Sequence, residues 1–286
     1  MLIRLCVTHV SNRIACNSRF MEGLLAIFPL IILIAFALSL VLFLVHYFYR
    51  SPYSVPQTII AWINLCLTRI LWRVEIEGRL PEKSDRGGVI VCNHRASVDP
   101  FFIQLVAQRI VHWFVAREYF KFPLVGTFLR ISESIPTNRA GVDTASTKAA
   151  IRMAREGDWI GMLMEGRINR TRAFMLPGRP GAALVALKAR VPVVPCYLKG
   201  VPYDGTFWGC LFIPGQVKLV IGEAIDLQPY YGRERDHAVL GELTLLFLRR
   251  IAELGGRPDF QPQLAGRRWS PITEREDAEA ACESTS

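Results

Sequence analysis

The chain has 286 residues, a net charge of +9 and a hydrophobic content of 51%. This length supports one large domain with appendages rather than two comparable cores. The positive charge suits anionic lipid head groups or phosphorylated substrates. It does not favour nucleic acid, because the arginines are dispersed and no basic run is interleaved with aromatic residues. The seven cysteines form no C-x-x-C pair, which indicates a reducing compartment and argues against a zinc site.

The N-terminal region contains a long apolar run. Residues 1–20 are polar without a clear period, and Met21 is an alternative initiation site. From Leu24 to Val45 no residue is charged, and about 22 residues are enough for a helix to cross a bilayer. A cleaved signal peptide and a buried helix are the alternatives, but the run exceeds a signal h-region and no Ala-x-Ala site follows it. We therefore expect a membrane anchor here.

A second apolar segment follows Pro56 with helical spacing. Its periodic residues are Ile59, Ile60, Ile63, Leu67, Ile70 and Leu71. Trp62 and Trp72 stand where a membrane interface would accommodate them, so a helix lying on or dipping into the membrane is predicted. The alternative is an ordinary amphipathic helix packed on the domain. Residues 21–73 are thus predicted to be membrane-anchoring helices.

Residues 74–256 alternate strand-like and helical patterns, which predicts an α/β domain with a sheet flanked by helices. The predicted strands are Gly88 to Cys92, Val111 to Ala116, Trp159 to Met164, Val191 to Tyr197 and Val217 to Ile221. One predicted helix begins after Pro100, and three others cover residues 143–155, 181–189 and 234–254. Residues 257–286, rich in proline at first and then in acidic residues, Ser and Thr, are expected to form a flexible tail.

A histidine and an aspartate follow the first of these strands, in the run from Asn93 to Pro100. An imidazole such as that of His94 can take a proton from a hydroxyl, and a carboxylate such as Asp99 can orient it and stabilise the imidazolium. Taken alone, the pair also fits a structural histidine and an aspartate that caps the helix beginning at Pro100. No Gly-x-Ser-x-Gly elbow supplies a nucleophile from the chain.

Three further motifs follow strand ends or open loops. They are Ile135-Pro136-Thr137-Asn138-Arg139, Met164-Glu165-Gly166-Arg167 with Arg170 and Arg172 close behind, and Val193-Val194-Pro195. The arginines offer planar forks for a phosphate, and Glu165 offers a carboxylate for a substrate hydroxyl. Each motif alone also fits a solvated loop.

The four motifs in this order resemble the four blocks of the glycerolipid acyltransferase family, and in particular its membrane-bound bacterial 1-acylglycerol-3-phosphate acyltransferases. The resemblance runs from about Val74 to Ile225. It implies a mixed sheet flanked by helices, with an N-terminal transmembrane or interfacial helical segment. It also implies His94 as the general base and Asp99 as its orienting partner.

The resemblance assigns the substrate-binding residues as well. Arg139, with Asn138 beside it, matches the phosphate-binding block, and Glu165 with Gly166 matches the acceptor-binding block. The family usually reads Glu-Gly-Thr-Arg there, whereas this chain has Ile168 at the arginine position, so Arg167 or Arg170 would have to restore the charge. Arg117 stands where relatives often carry a lysine that can steady the oxyanion.

The expected activity is transfer of a fatty acyl group from acyl-CoA or acyl carrier protein to 1-acylglycerol 3-phosphate (lysophosphatidic acid), giving phosphatidic acid. No metal or cofactor is expected, because a thioester donor is already activated. Membrane lipids are the expected surroundings, in the inner membrane with the site on the cytoplasmic side. The alternatives are another lysolipid acceptor, such as a lysophospholipid or an amino-acid lipid, or a non-catalytic lipid-binding protein on the same fold.

Overall fold

The structure, a computed structural model, describes residues 28–29, 31–39, 41–42, 51–81, 87–138, 144–206 and 209–266. The chain divides into two compact units, Met1–Ser54 and Val55–Ser286. In the first unit the described residues up to 42 are helical, and their large apolar side chains are exposed. The expected span from Leu24 to Val45 lies partly outside the described residues. None of the helices formed by described residues has both the length and the apolar character to cross a membrane.

The second unit is built on one sheet of seven strands in the order β1-β7-β6-β2-β5-β3-β4. The strands are β1 (Glu75–Glu77), β2 (Gly88–Cys92), β3 (Val111–Ala116), β4 (Ile135–Thr137), β5 (Trp159–Leu163), β6 (Val193–Lys199) and β7 (Lys218–Ile221). Neighbouring strands are parallel except β6 and β7, which pair antiparallel. The predicted mixed sheet is therefore confirmed.

Within the described residues of the second unit, six α-helices connect or cover these strands. They are α1 (Val55–Cys66), α2 (Asp99–Ala107), α3 (Pro123–Ile131), α4 (Thr144–Arg155), α5 (Gly181–Ala189) and α6 (His237–Leu254). A π-helical turn over Leu67–Leu71 extends α1, and 3-10 turns cover Arg117–Lys121, Gly209–Leu211 and Gln228–Tyr230. The helices flank the sheet as the alternating sequence pattern predicted.

Strand β2 lies at the centre of the domain, and all its residues are buried. Successive side chains of a strand point to opposite faces. Accordingly, Val89 and Val91 belong to the apolar cluster that includes residues of α4, α5 and α6, whereas Ile90 and Cys92 belong to the cluster that includes Trp72 and α2. Because both faces of the sheet are covered, the loop after β2 is held on a rigid support.

The sheet also fixes which loops lie together. Strands β2, β3, β4, β5 and β6 all run in the same direction, so their carboxyl ends share one edge, where open α/β sheets bind their ligands. The loops after β2 and β5 are neighbours there, since these two strands pair residue by residue from Gly88 with Trp159 to Cys92 with Leu163. The motifs of the sequence are thereby brought to one edge.

Helix α1 turns its polar side chains inward and its apolar side chains outward. Thr58, Asn64 and Thr68 are buried, and the Asn64 side-chain amide donates a hydrogen bond to the Phe101 carbonyl at 2.9 Å. In contrast, Trp62 is 55% exposed and Ile63 is 54% exposed. The helix therefore packs on the domain through polar contacts and leaves an apolar face uncovered within the described residues of its unit.

The structure corrects two expectations about the ends of the domain. Trp72 does not stand at an interface, because it is 0% exposed and packs edge-on against Phe101 and Phe102. The segment after Arg257, expected to be a flexible tail, pairs with the domain near Gly178, whose main chain exchanges hydrogen bonds with Gln263 and Ala265. Residues 267–286 lie outside the described residues.

Candidate active site

His94 and Asp99 form a hydrogen-bonded pair in the loop after β2. The distance from His94 Nδ1 to Asp99 Oδ2 is 2.8 Å, and the exposed fractions of the two side chains are 14% and 0%. An ionised carboxylate can only accept, so the hydrogen of the neutral ring belongs on Nδ1 and Nε2 is left as the basic nitrogen. The pair therefore has the orientation that a general base requires.

Asp99 also shapes the loop that carries the histidine. Its Oδ2 atom accepts the main-chain N–H groups of Arg95 at 2.6 Å and Ala96 at 3.0 Å. Asp99 is the first residue of α2, and the preceding Val98 makes no side-chain cap. Asp99 therefore holds the loop and the imidazole with the same oxygen instead of capping α2.

Glu165 is buried and holds the main chain of His94. Its Oε1 atom accepts the His94 N–H at 2.7 Å, its Oε2 atom accepts the Leu176 N–H at 2.8 Å, and the residue is 3% exposed. Burial raises the pKa of Glu165 to about 7, against the opposing effect of the two N–H groups. Both carboxylate oxygens thus accept main-chain N–H groups, one of them from His94, and binding of the acceptor by Glu165 stays a prediction.

Asn169 supplies the second main-chain contact to His94, and sequence reasoning did not single it out. Its N–H donates to the His94 carbonyl at 2.8 Å. Its own side chain is 3% exposed, accepts from the Thr171 N–H and donates to the Ala173 carbonyl. Residues of the loop after β5 therefore form hydrogen bonds with both the N–H and the C=O of His94.

Gly166 allows an arginine to approach this loop closely. It has a φ of +66°, and a Cβ atom there would lie 3.0 Å from Cδ of Arg179. Both the left-handed conformation and the close side chain favour glycine. A larger residue would displace Arg179 from the turn that follows Glu165.

Arg179 is the cation that sequence reasoning missed. It is half-buried, and burial together with the nearby Arg167 lowers its pKa. Its guanidinium has no hydrogen bond or ion pair with any described residue. The only sequence signal is its place in Gly178-Arg179-Pro180-Gly181, directly before α5. A half-buried guanidinium such as that of Arg179 can form charge-assisted hydrogen bonds with an anion.

The remaining predicted residues follow the carboxyl ends of other strands. Arg117 begins the 3-10 turn directly after β3, and Asn138 is exposed directly after β4. Arg139 lies outside the described residues. Arg167 is half-buried, whereas Arg170 is exposed and lines a cleft on the β6 side. No group of three or more His, Cys, Asp or Glu residues in the described part of the chain could hold a metal ion.

Comparisons with known proteins show which sequences and structures the chain is similar to. Residues 73–199 match the acyltransferase family model. A 1-acyl-sn-glycerol-3-phosphate acyltransferase of Bacillus subtilis is 29% identical over 180 residues, covering 62% of this chain and 85% of the relative. A Limnanthes alba protein of the same name is 24% identical over 132 residues, and the matched region covers 47% of its length.

A solved structure shares the fold. The 1-acyl-sn-glycerophosphate acyltransferase of Thermotoga maritima superposes with a TM-score of 0.55 at 22% identity, covering 70% of this chain and 80% of that chain. Over residues 73–199 the chain is therefore similar to the acyltransferase family, which supports the expectation of an acyltransferase. Within that family it is similar to proteins named 1-acyl-sn-glycerol-3-phosphate acyltransferase.

Proposed function

We propose that the protein transfers a fatty acyl group from an acyl thioester to the free hydroxyl of 1-acylglycerol 3-phosphate, with His94 as the general base. The observation that carries this proposal is the 2.8 Å contact between His94 Nδ1 and the fully buried Asp99 carboxylate. The pair lies at the carboxyl end of the central strand, where the neighbouring loops can bind two substrates. The names of the relatives support the choice of acceptor.

The chemistry is direct acyl transfer. His94 Nε2 accepts the proton of the acceptor hydroxyl while the hydroxyl oxygen bonds to the thioester carbonyl carbon. The tetrahedral oxyanion then collapses, the C–S bond breaks, and the leaving thiolate takes the proton back from the imidazolium. The Asp99 carboxylate stabilises the imidazolium between these two transfers. No residue of the enzyme is acylated.

The main-chain contacts to His94 supply orientation. Glu165 and Asn169 fix the histidine N–H and C=O from the loop after β5, while Asp99 fixes the ring. A base held at three points loses little freedom when the substrates bind, which lowers the entropic part of the barrier. Glu165 and Asn169 are thus positioning residues in this proposal.

The cations beyond β5 and β3 are proposed to receive the negative charges of the acceptor side. Arg179 and Arg167 bind the phosphate monoester, in place of the arginine that relatives carry at Ile168, and Arg139 with Asn138 assists them. Arg117 follows β3 on the same sheet edge, and we assign it to the oxyanion, where a cation or N–H donor lowers the barrier.

We further propose that the enzyme works at the cytoplasmic face of the inner membrane. The support is the exposed apolar face of α1, including Val55, Ile59, Trp62 and Ile63, next to the exposed Arg69. Apolar side chains beside cations are the pattern of helices that lie in anionic lipid interfaces. The apolar run from Leu24 to Val45 is proposed to add an anchor.

The test is acyl transfer by the purified, detergent-solubilised protein from labelled acyl-CoA and acyl carrier protein to a panel of lysolipids. Wild type, His94→Ala, Arg139→Ala and the matched control His237→Ala, an exposed histidine at the start of α6, are compared. We expect phosphatidic acid from wild type and from the control, and none above background from His94→Ala. Product only with another lysolipid would overturn the acceptor assignment, and no transfer to any acceptor would favour a non-catalytic lipid-binding protein.

A further inference from the structure

A cleft of about 290 Å³ opens beside the proposed catalytic histidine. It lies between the carboxyl end of β6 and the loop that follows β5. The residues that matter for its chemistry are Arg95, Asn169, Arg170, Tyr197, Lys199 and Tyr203. This volume is at the lower end of the range for small-molecule sites, so the cleft suits one charged segment of a larger ligand.

Three of the residues that line the cleft are cationic. None of Arg95, Arg170 and Lys199 forms a side-chain hydrogen bond or an ion pair with a described residue. The hydroxyl of Tyr203 is buried and has no hydrogen-bond partner among the described residues. Unpaired buried hydroxyls cost stability, and three cations around a hydroxyl donor fit an anionic ligand.

The cleft extends to the β6 side of β2, whereas the proposed oxyanion residue Arg117 follows β3 on the other side. Strand β2 lies between β5 and β6 in the sheet, and β3 lies beyond β5. Lys199 ends β6, whereas Arg117 follows β3. Two residues that line the cleft nevertheless contact the main chain of His94, because Arg95 follows His94 in the chain and the Asn169 N–H donates to the His94 carbonyl.

An acyl transferase that uses a carrier thioester must bring two anionic substrates to one histidine. Two phosphates in one cation cluster would repel each other, so separate clusters on either side of the base are favoured. In the proposed function the acceptor phosphate is assigned to Arg167 and Arg179. The cleft on the β6 side is left for the donor.

We propose that the cleft formed by Arg95, Arg170 and Lys199 binds the phosphate of the 4′-phosphopantetheine arm, the group that carries the thioester in both acyl-CoA and acyl carrier protein. This inference rests on the proposed acyl transfer and names the donor subsite of that reaction. It assigns Arg170 to the donor, and thereby leaves Arg167 and Arg179 to the acceptor. The Tyr203 hydroxyl donates to the same phosphate.

The experiment compares wild type with the double variant Arg170→Gln/Lys199→Gln and with Tyr203→Phe. The matched control is Lys148→Gln, an exposed lysine on α4. Three donors are used: acyl-CoA, acyl carrier protein and an acyl N-acetylcysteamine thioester, which has no phosphate. CoA binding is measured separately by calorimetry, so that the result does not depend on turnover.

We expect the double variant to raise the KM for a carrier-bound donor about tenfold and to weaken CoA binding by a similar factor, since a charge-assisted contact is lost. Tyr203→Phe should act in the same direction with a smaller effect. The KM for lysophosphatidic acid and the turnover of the phosphate-free thioester should not change. A rise confined to one carrier identifies that carrier as the source of the phosphate.

Three results would overturn the inference: unchanged donor KM and CoA binding in the double variant, an equal loss with the phosphate-free thioester, or a rise in the KM for lysophosphatidic acid instead. These results are separable from failure of the proposed function. If wild type transfers no acyl group but the double variant still binds CoA more weakly, the donor cleft stands and the proposed reaction fails.

Discussion

Three hydrogen bonds fix His94, and each joins it to a different residue. Asp99 holds the ring, Glu165 holds the N–H and Asn169 holds the carbonyl. Of these, the sequence motif predicts only the contact with Asp99, because it joins residues five positions apart. The contact with Glu165 joins residues 71 positions apart and depends on β2 and β5 pairing in the observed register.

At the residue scale, Asp99→Asn tests the orienting role of the carboxylate. The amide can still accept the loop N–H groups, but it removes the negative charge opposite the imidazolium. We expect kcat to fall by about 10²–10⁴-fold, with little change in either KM. Steady-state kinetics would measure this, with circular dichroism to verify folding. A kcat within threefold of wild type would contradict the role assigned to Asp99.

Glu165→Gln tests the buried carboxylate through the pH dependence of stability. The folded-state pKa of Glu165 is about 7 against an ordinary value of 4.5, so ionisation inside the protein is disfavoured. A raised pKa gives stability that is full below pH 4.5 and is lost as the pH rises through 7, by about 3 kcal/mol. The variant lacks this group and should lose less stability between pH 5 and pH 8.

Denaturant unfolding of wild type and Glu165→Gln at several pH values measures this difference. The variant should be less stable at pH 5, because its side-chain NH₂ cannot accept one of the two N–H groups. If the stability difference between the two proteins stays constant from pH 5 to pH 8, then Glu165 does not titrate in this range.

At the scale of elements, the loop after β5 departs most from the motif that identified it. The family arginine is replaced by Ile168, and the cation against Gly166 comes from Arg179, which lies just before α5. No spacing rule in the sequence connects Arg179 to Glu165, because the contact depends on how the loop folds back. Arg179 and the neighbouring Arg167 are the cations that we propose for the acceptor phosphate.

Arg179→Gln should raise the KM for lysophosphatidic acid about tenfold, because a charge-assisted contact to phosphate is lost. The KM for the donor should not change. Stability should not fall, since a half-buried cation beside Arg167 is removed. Steady-state kinetics and thermal unfolding test both points, with Arg249→Gln on the exposed face of α6 as the matched control. An unchanged acceptor KM would remove Arg179 from the acceptor site.

Helix α1 shows that an apolar period alone cannot determine which face of a helix packs on the domain. The period predicted an apolar face, but it did not reveal that Thr58, Asn64 and Thr68 would face the domain. Nor could it separate Trp62, which is exposed, from Trp72, which is buried against Phe101 and Phe102. The polar contacts of α1 reach residues of α2, so they become visible only with the fold.

The double variant Trp62→Ala/Ile63→Ala should weaken binding to anionic phospholipid vesicles about tenfold or more, since two apolar side chains lose their burial in lipid. Because both side chains are exposed in the protein, the free energy of unfolding should change by only about 0.5 kcal/mol. Vesicle sedimentation and denaturant unfolding measure the two effects. Equal vesicle binding by wild type and variant would remove α1 from the membrane contact.

For the molecule as a whole, the alternation of strands and helices predicted the sheet and the position of His94 at the end of β2. The three-residue strands β1 and β4 were not predicted, because such short edge strands form only by pairing with distant partners. The order of the strands places Arg117, which follows β3, on one side of the loop that carries His94 and Lys199, which ends β6, on the other. We propose that the acceptor and the donor approach His94 from these two sides.

The most direct test of this account is the turnover of His94→Ala beside His237→Ala, with wild type as reference and lysophosphatidic acid as acceptor. If His94 is the base, phosphatidic acid formation should fall by at least about 10²-fold in His94→Ala, while donor binding persists and His237→Ala keeps wild-type turnover. His94→Ala turnover within threefold of wild type would contradict the account, since no other described residue has been assigned the proton.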